Sequence, residues 1–302
     1  MSGPEGHAVR SRADAGEGPV AARVMVEGGV GIHVERRAGD ATRPAFVLVH
    51  GLASNLRLWD GVGERLCAAG HAVVALDQRG HGLSDAPDHG YDLDTAVLDL
   101  LAVVAAAGLA RPILVGQSWG GNVVLELGWR RPDVARGIVC VDGGLIELSE
   151  RYPSWDDCVA ALAPPRLDHL TLGELAARIG TLTPKLPERA VEAILHCFRE
   201  RPDGTIEPRL TREHHLRLLR ALWEHRPSTR LAGLAVPLLL LLADTGDEAR
   251  TAEKRRAEAR ARGLVRRVRS QWFAPAHHDV HAQLPERVTA ALLDAWAEGF
   301  FG

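Results

Sequence analysis

A serine set closely between glycines, Gly116-Gln117-Ser118-Trp119-Gly120, joins an apolar run to a segment of helical spacing. The run is Ile113 to Val115, and apolar residues recur beyond it at Val123, Val124 and Leu127. A strand that turns sharply into a helix needs small residues beside the turn. The turn lifts the serine oxygen clear of the backbone, with the free N–H groups and partial positive charge of a helix N-terminus behind it. A hydroxyl so placed becomes a nucleophile once a base accepts its proton. As a helix cap alone, Ser118 would not require Gly116 and Gly120.

Three histidines near the C-terminus are candidate bases: His277, His278 and His281 in "WFAPAHHDVHAQLPERV". His278 is favoured, because it follows the strand-like "VRSQWF" and precedes a helix starting near Pro285; His277 and His281 would then line or support the pocket. Read as a metal site, His278, Asp279 and His281 match no common ligand spacing. An imidazole base needs a carboxylate to fix its tautomer and stabilise its charged form. Asp142 ends the run "GIVCV", and Asp244 and Asp247 follow "PLLLLL"; the residues alone leave the choice open. A developing oxyanion needs donors as well. The N–H of Trp119 is one, and His50-Gly51-Leu52-Ala53-Ser54 presents that of Leu52, with Gly51 permitting the backbone turn.

These residues need a scaffold. Phe46–Val49, Ala72–Leu76, Ile113–Val115, Gly137–Val141 and Pro237–Leu242 are short apolar runs bounded by turn residues, as buried parallel strands are. Helical patterns over Asp94–Ala107, Trp119–Arg130 and Glu248–Arg262 alternate with them, which implies crossovers and a mostly parallel, doubly wound α/β sheet. Ala22–Glu27 and Gly31–Arg36 flank "GGVG" as an N-terminal hairpin. Residues 145–235 break the alternation: they show helical patterns near Trp155–Leu162, Leu172–Ile179, Glu188–Phe198 and Arg212–His225, but no buried-strand run. They read as a helical cap inserted into a core of 21–144 and 236–302. "DQRGHGLSD", 77 to 85, forms a tight loop at the same sheet end, with Asp77 and Arg79 expected to pair. The basic run 250–269 reads as a solvated helix face followed by the start of an edge strand.

Composition narrows the partners. A net charge of −3 gives no reason to expect nucleic acid or an anionic membrane. Four cysteines without a C-x-x-C pair suggest reduced thiols and a cytoplasmic chain. Residues 1–20 lack the apolar core of a signal peptide and read as a disordered tail.

Together these residues resemble the α/β-hydrolase family over about residues 20 to 300. The resemblance rests on His50-Gly51, Asp77-x-Arg79-Gly80-His81-Gly82-x-Ser84, Gly116-x-Ser118-x-Gly120 and His278 with Pro285 seven residues on. It implies about eight strands and a helical cap over residues 145–235. It places the acid between serine and histidine in chain order. Many members carry that acid after the strand that follows the cap. Here "LLADTGDEAR" replaces the usual glycine with Ala243 and puts Asp244 early and Asp247 late. Other members place it after the strand that follows the nucleophile, and Asp142, 24 residues after Ser118, fits. The implied catalytic set is Ser118, His278 and Asp142, with Asp247 next in line and the N–H groups of Leu52 and Trp119 as oxyanion hole. Serine at the elbow argues against the family's dehalogenases and epoxide hydrolases, which use aspartate. Ester or lactone hydrolysis is the leading expectation. C–C, thioester and amide hydrolysis, a perhydrolase and a non-catalytic receptor are the rivals. No metal or organic cofactor is implied. Trp155, Leu162, Leu172, Ile179, Phe198 and Trp223 make the cap apolar enough for a hydrophobic small molecule.

Overall fold

The apolar runs become the centre of one sheet. In the computed structural model, which describes residues 18–302, eight strands stand in the order β1-β2-β4-β3-β5-β6-β9-β10. They are β1 (Val20–Val26), β2 (Val30–Arg37), β3 (Phe46–Val49), β4 (Val73–Leu76), β5 (Ile113–Gln117), β6 (Gly137–Val141), β9 (Leu238–Ala243) and β10 (Val268–Phe273). β1 pairs antiparallel with β2, and β2 with β4; every pairing from β4 across to β10 is parallel. The expected N-terminal hairpin is therefore present. The expected tail lies outside the described residues as far as residue 17, and Val20, inside its stated limit, already pairs in β1.

Each central strand is buried on both faces, which is why it reads as unbroken apolar sequence. Alternate side chains serve different layers. Phe46 and Leu48 of β3 meet Val62 and Leu66 of α1 (Asp60–Ala68) and Val288 and Leu292 of α12 (Pro285–Ala297). Val47 and Val49 meet Val103 of α2 (Leu93–Ala106) and Val123 and Leu127 of α3 (Trp119–Arg130). The order reverses between β3 and β5: β4 lies to one side of β3 and β5 to the other. The crevice at the carboxyl ends of such a pair is where open parallel sheets hold ligands. From those two ends leave the His50–Ser54 loop and the Ser118 turn.

Between β6 and β9 the chain forms α4 (Leu148–Arg151), α5 (Trp155–Leu162), α6 (Leu172–Leu182), α7 (Glu188–Leu195), α8 (Arg212–Glu224) and α9 (Ser228–Leu231). Threonines start two of these helices. Thr171 and Glu174 close a reciprocal capping box on α6, and Thr211 accepts from the His214 N–H at α8. One element was not expected: a hairpin of β7 (Phe198–Glu200) and β8 (Ile206–Pro208). Three residues are too few for an alternating pattern, so "RPDGTIEP" showed only its turn residues. The insertion rests on the β3–α1 loop through Asn55 Nδ2, which donates to Ala193 O at 2.7 Å. After β9 comes α10 (Glu248–Leu264), and between β10 and α12 the single turn α11 (Val280–Gln283). Among the described residues, no helix is long and apolar enough to cross a membrane.

Candidate active site

The turn after β5 holds Ser118 at φ 50° and ψ −118°, a region L-residues rarely occupy. Its closest neighbours leave no room for a Cβ. One built on Gly116 would stand 2.1 Å from Gly120 O, and one on Gly120 would stand 2.4 Å from Val49 O. The two glycines flanking Ser118 are thus required by backbone packed on backbone. Ser118 N–H donates to Val141 O, tying the turn to β6.

His278 and Asp142 meet. The Nδ1–H of His278 donates to Asp142 Oδ2 at 2.7 Å, a direction fixed because an ionised carboxylate only accepts. Asp142 takes φ 45° at the end of β6, and its Oδ1 accepts the Ala243 N–H at 2.9 Å. The Asp142 side chain is fully buried, whereas that of His278 is 47% exposed, leaving Nε2 free on the open side. Burial pushes the Asp142 carboxyl up, but His278 and the ammonium of Lys254 outweigh it and hold the group below its ordinary range. Burial presses the His278 imidazole down, yet Asp142 and Asp279 leave it above its ordinary value.

The rival carboxylates are engaged elsewhere. Asp244 accepts from Gly246 N–H and Thr251 Oγ1, both at 3.0 Å. Asp247 caps α10 by accepting the Arg250 N–H at 3.0 Å. Neither contacts His278.

Ser118 and His278 line one cavity of about 200 Å³ together with Leu52, Leu58, Ile194 and Cys197. Ser118 Oγ and His278 Nε2 make no hydrogen bond to each other; in a ligand-free site such bonds are commonly long. Burial pushes the Cys197 thiol up to about 12, so it stays protonated and Ser118 is the nucleophile candidate of this cavity. The N–H groups of Leu52 and Trp119 donate to no protein group among the described residues. Trp119 opens α3, where the first N–H groups lack helical partners. Two neutral histidines hold the Leu52 loop. His50 Nδ1–H donates to Gly51 O at 2.7 Å and Nε2 accepts from Gln78 N–H at 3.0 Å. His81 Nε2 accepts from Ala53 N–H at 3.3 Å. Burial drives both imidazoles down, His81 to about 4. The left-handed residue of this loop is Ala53, at φ 55°, and not Gly51.

Several expectations are corrected. Asp77 does not pair with Arg79: it accepts the N–H groups of Leu56 and Leu83 at 2.9 Å, and Arg79 grips Asp99 with two bonds of 2.9 Å. His281 is buried against Trp59 at 4.2 Å between ring centroids, and neither it nor His277 lines the cavity. His277 instead braces its own loop, accepting the Asp279 N–H at 3.1 Å. Trp155, Leu162 and Trp223 pack together within the insertion. Of the expected apolar set only Phe198 lines the larger chamber, of about 620 Å³, which shares Ala53, Ser54, Ile194 and Cys197 with the Ser118 cavity. The sequence reading missed the four arginines of that chamber, Arg166, Arg201, Arg209 and Arg212. It missed Lys254 too, although this is one of only two lysines among 36 basic residues, the other being Lys185.

Comparison with known proteins agrees with the architecture. The model of the α/β hydrolase fold family matches residues 44–192. Over 116 residues the chain is 32% identical to the AB hydrolase superfamily protein YfhM of Bacillus subtilis, covering 38% of this chain and 40% of that protein. Over 99 residues it is 32% identical to 2-(acetamidomethylene)succinate hydrolase of Mesorhizobium japonicum, covering 33% of this chain and 35% of that one. These matches therefore span well under half of each relative. The crystal structure of E-2-(acetamidomethylene)succinate hydrolase superposes with a TM-score of 0.74 at 21% identity, over 92% of this chain and 98% of the other, a likeness of fold.

Proposed function

Since this chain belongs to the α/β-hydrolase fold family, we propose that it is a serine hydrolase acting on an ester or lactone of a small molecule. The observation that carries the reading is the 2.7 Å contact between His278 Nδ1 and Asp142, in a histidine that lines the same cavity as Ser118. His278 Nε2 takes the Ser118 proton as Oγ attacks the carbonyl carbon. The N–H groups of Leu52 and Trp119 receive the oxyanion, aided by the α3 N-terminus. As the tetrahedral adduct collapses, the imidazolium gives its proton to the departing alkoxide. Water, deprotonated by His278, then attacks the acyl-enzyme and frees Ser118. Asp142 keeps Nδ1 protonated throughout and stabilises the imidazolium.

The substrate is an apolar molecule that carries an anionic end. Leu52, Leu58 and Ile194 suit an apolar acyl segment beside Ser118. In the adjoining chamber four arginines face two carboxylates, Asp168 and Glu207. Glu207 pairs with Arg201, whereas Arg166, Arg209 and Arg212 form no ion pair among the described residues. A relative named for a succinate, a dicarboxylate, is in keeping with this.

The test is a fluorophosphonate probe read by intact mass, beside Ser118→Ala. One adduct on the parent chain and none on the variant is expected. A folded parent that takes no adduct overturns the reading.

A further inference from the structure

α10 is the most polar long helix of the chain, and only two of its residues are buried: Ala261 and Lys254. Lys254 is 7% exposed, and its ammonium lies 2.9 Å from Asp142 Oδ2, 2.7 Å from Asp142 Oδ1 and 2.6 Å from Ala243 O. The ammonium donates to Asp142 Oδ2 and to Ala243 O and keeps the second carboxylate oxygen within ion-pair distance. The Ala243 it binds through its carbonyl also donates its N–H to Asp142 Oδ1, so Lys254 closes a ring around the carboxylate. A lysine buried in this way is costly unless paired, and here its counter-charge is the carboxylate that also receives His278. The chain uses arginine nearly everywhere else, but the compact ammonium makes this three-point contact where a planar guanidinium would need more room.

We infer that Lys254 is a positioning residue for His278. It fixes the Asp142 carboxylate against Nδ1 and, as a second cation on that carboxylate, keeps His278 unprotonated to lower pH than Asp142 and Asp279 alone would allow. The inference rests on the proposed roles of Ser118 and His278. Without Lys254, the whole charge of Asp142 would stabilise the imidazolium, and the base would be occupied by a proton over more of the neutral range. The charged and titratable groups around His278 are Asp142 at the end of β6, Lys254 on α10, and Asp279, His277 and His281 on its own loop. Asp279 lies 3.5 Å from His277 Nδ1. Lys254 is the only lysine or arginine of the set.

Lys254→Gln removes the charge and keeps a polar N–H donor on a stem one bond shorter. The His278 imidazole is titrated by carbon-detected NMR in the parent and in Lys254→Gln, assigned with His278→Gln, and kcat/KM for a p-nitrophenyl ester is followed against pH in both. The expected result is a His278 midpoint, and with it the acidic limb of kcat/KM, higher by about one pH unit in Lys254→Gln. A midpoint that stays or falls overturns the inference: Lys254 would then be an anchor of α10 alone. The NMR reading needs no turnover, so an inactive parent would sink the hydrolase reading and still decide the role of Lys254. Should Lys254→Gln fail to fold, Lys254→Met, which also removes the charge and fills the stem's space, gives the same two readings.

Discussion

Asp142 and His278 stand 136 positions apart and meet at 2.7 Å, on a carboxylate whose other oxygen takes the Ala243 N–H. That second bond matters. It leaves Oδ2 as the oxygen presented to Nδ1, so the imidazole is held in one tautomer. Asp142→Asn puts an uncharged amide there, and an amide turned to donate would force the opposite tautomer. A loss of about a thousandfold or more in kcat is expected with an activated ester. Asp247→Asn retains an N-cap for α10 and should stay within about twofold of the parent. Equal losses in both variants, or a loss confined to Asp247→Asn, would remove Asp142 from the mechanism.

The pH profile follows from the same pair. In the proposed mechanism only neutral His278 accepts the serine proton, so kcat/KM should rise with pH through the imidazole midpoint. Burial opposes the imidazolium, but Asp142 and Asp279 outweigh it and place that midpoint above the ordinary histidine value of about 6.5. The acidic limb in the free enzyme should therefore be half-complete above pH ~6.5. A limb centred well below this value would mean that another group limits the reaction.

Much of this was legible because it depends on local pattern. Buried parallel strands show as apolar runs, and a strand-to-helix turn shows as glycines around Ser118. The acid was harder to read. Asp142 and Asp244 follow strand ends and Asp247 caps a helix, and their roles are separated only by the hydrogen bonds each makes: Asp142 bonds across to Ala243 of the neighbouring strand, whereas Asp244 and Asp247 are taken up by N–H groups two and three residues on. Lys254 was hidden for a related reason. A charge run reads as a solvated face unless a buried counter-charge is known, and its partner lies 112 positions away. The insertion misled in the other direction: Trp155 and Trp223 are large and apolar, yet they fill the space between α5 and α8 and leave the chamber wall to smaller and charged side chains.

The tightness of the turn makes its own prediction. In Gly116→Ala the new methyl meets Gly120 O and the Gly121 N, both backbone atoms, so no side chain can move aside. Destabilisation of about 1–3 kcal/mol is expected by denaturant unfolding. Labelling of Ser118 by the fluorophosphonate should fall with it. Unchanged stability and labelling would show that the turn has room for a methyl at residue 116.

Acid should unfold this chain early. Burial drives His81, His215 and His281 to about 4, and His50 well below its ordinary value. Unfolded, these groups bind protons near 6.5, so between pH ~6.5 and ~4 the unfolded chain holds more protons than the folded one. Stability is then complete above pH 6.5 and drains away as the pH falls through that window. His71 and His277 are lowered as well, so His278, raised in the fold and working the opposite way, is one group against six. Melting should come at least ~5 °C lower at pH 5 than at pH 7. A flat profile would mean that water or a rearrangement charges these histidines inside the fold.

The arginines of the chamber predict a preference that a purely apolar pocket would not show. Two activated esters matched in length are compared, one ending in a methyl and one in a carboxylate. The carboxylate ester is expected to have the higher kcat/KM, by about fivefold, since rim ion pairs contribute at most ~1 kcal/mol. Added salt should narrow the gap, because screening shortens the reach of exposed charges. Arg166→Gln combined with Arg212→Gln should erase it and leave the methyl ester unaffected, as neither side chain lies in the cavity of Ser118. A preference for the methyl ester would return the chamber to a plain apolar site. Turnover of neither ester would count against the serine-hydrolase reading instead.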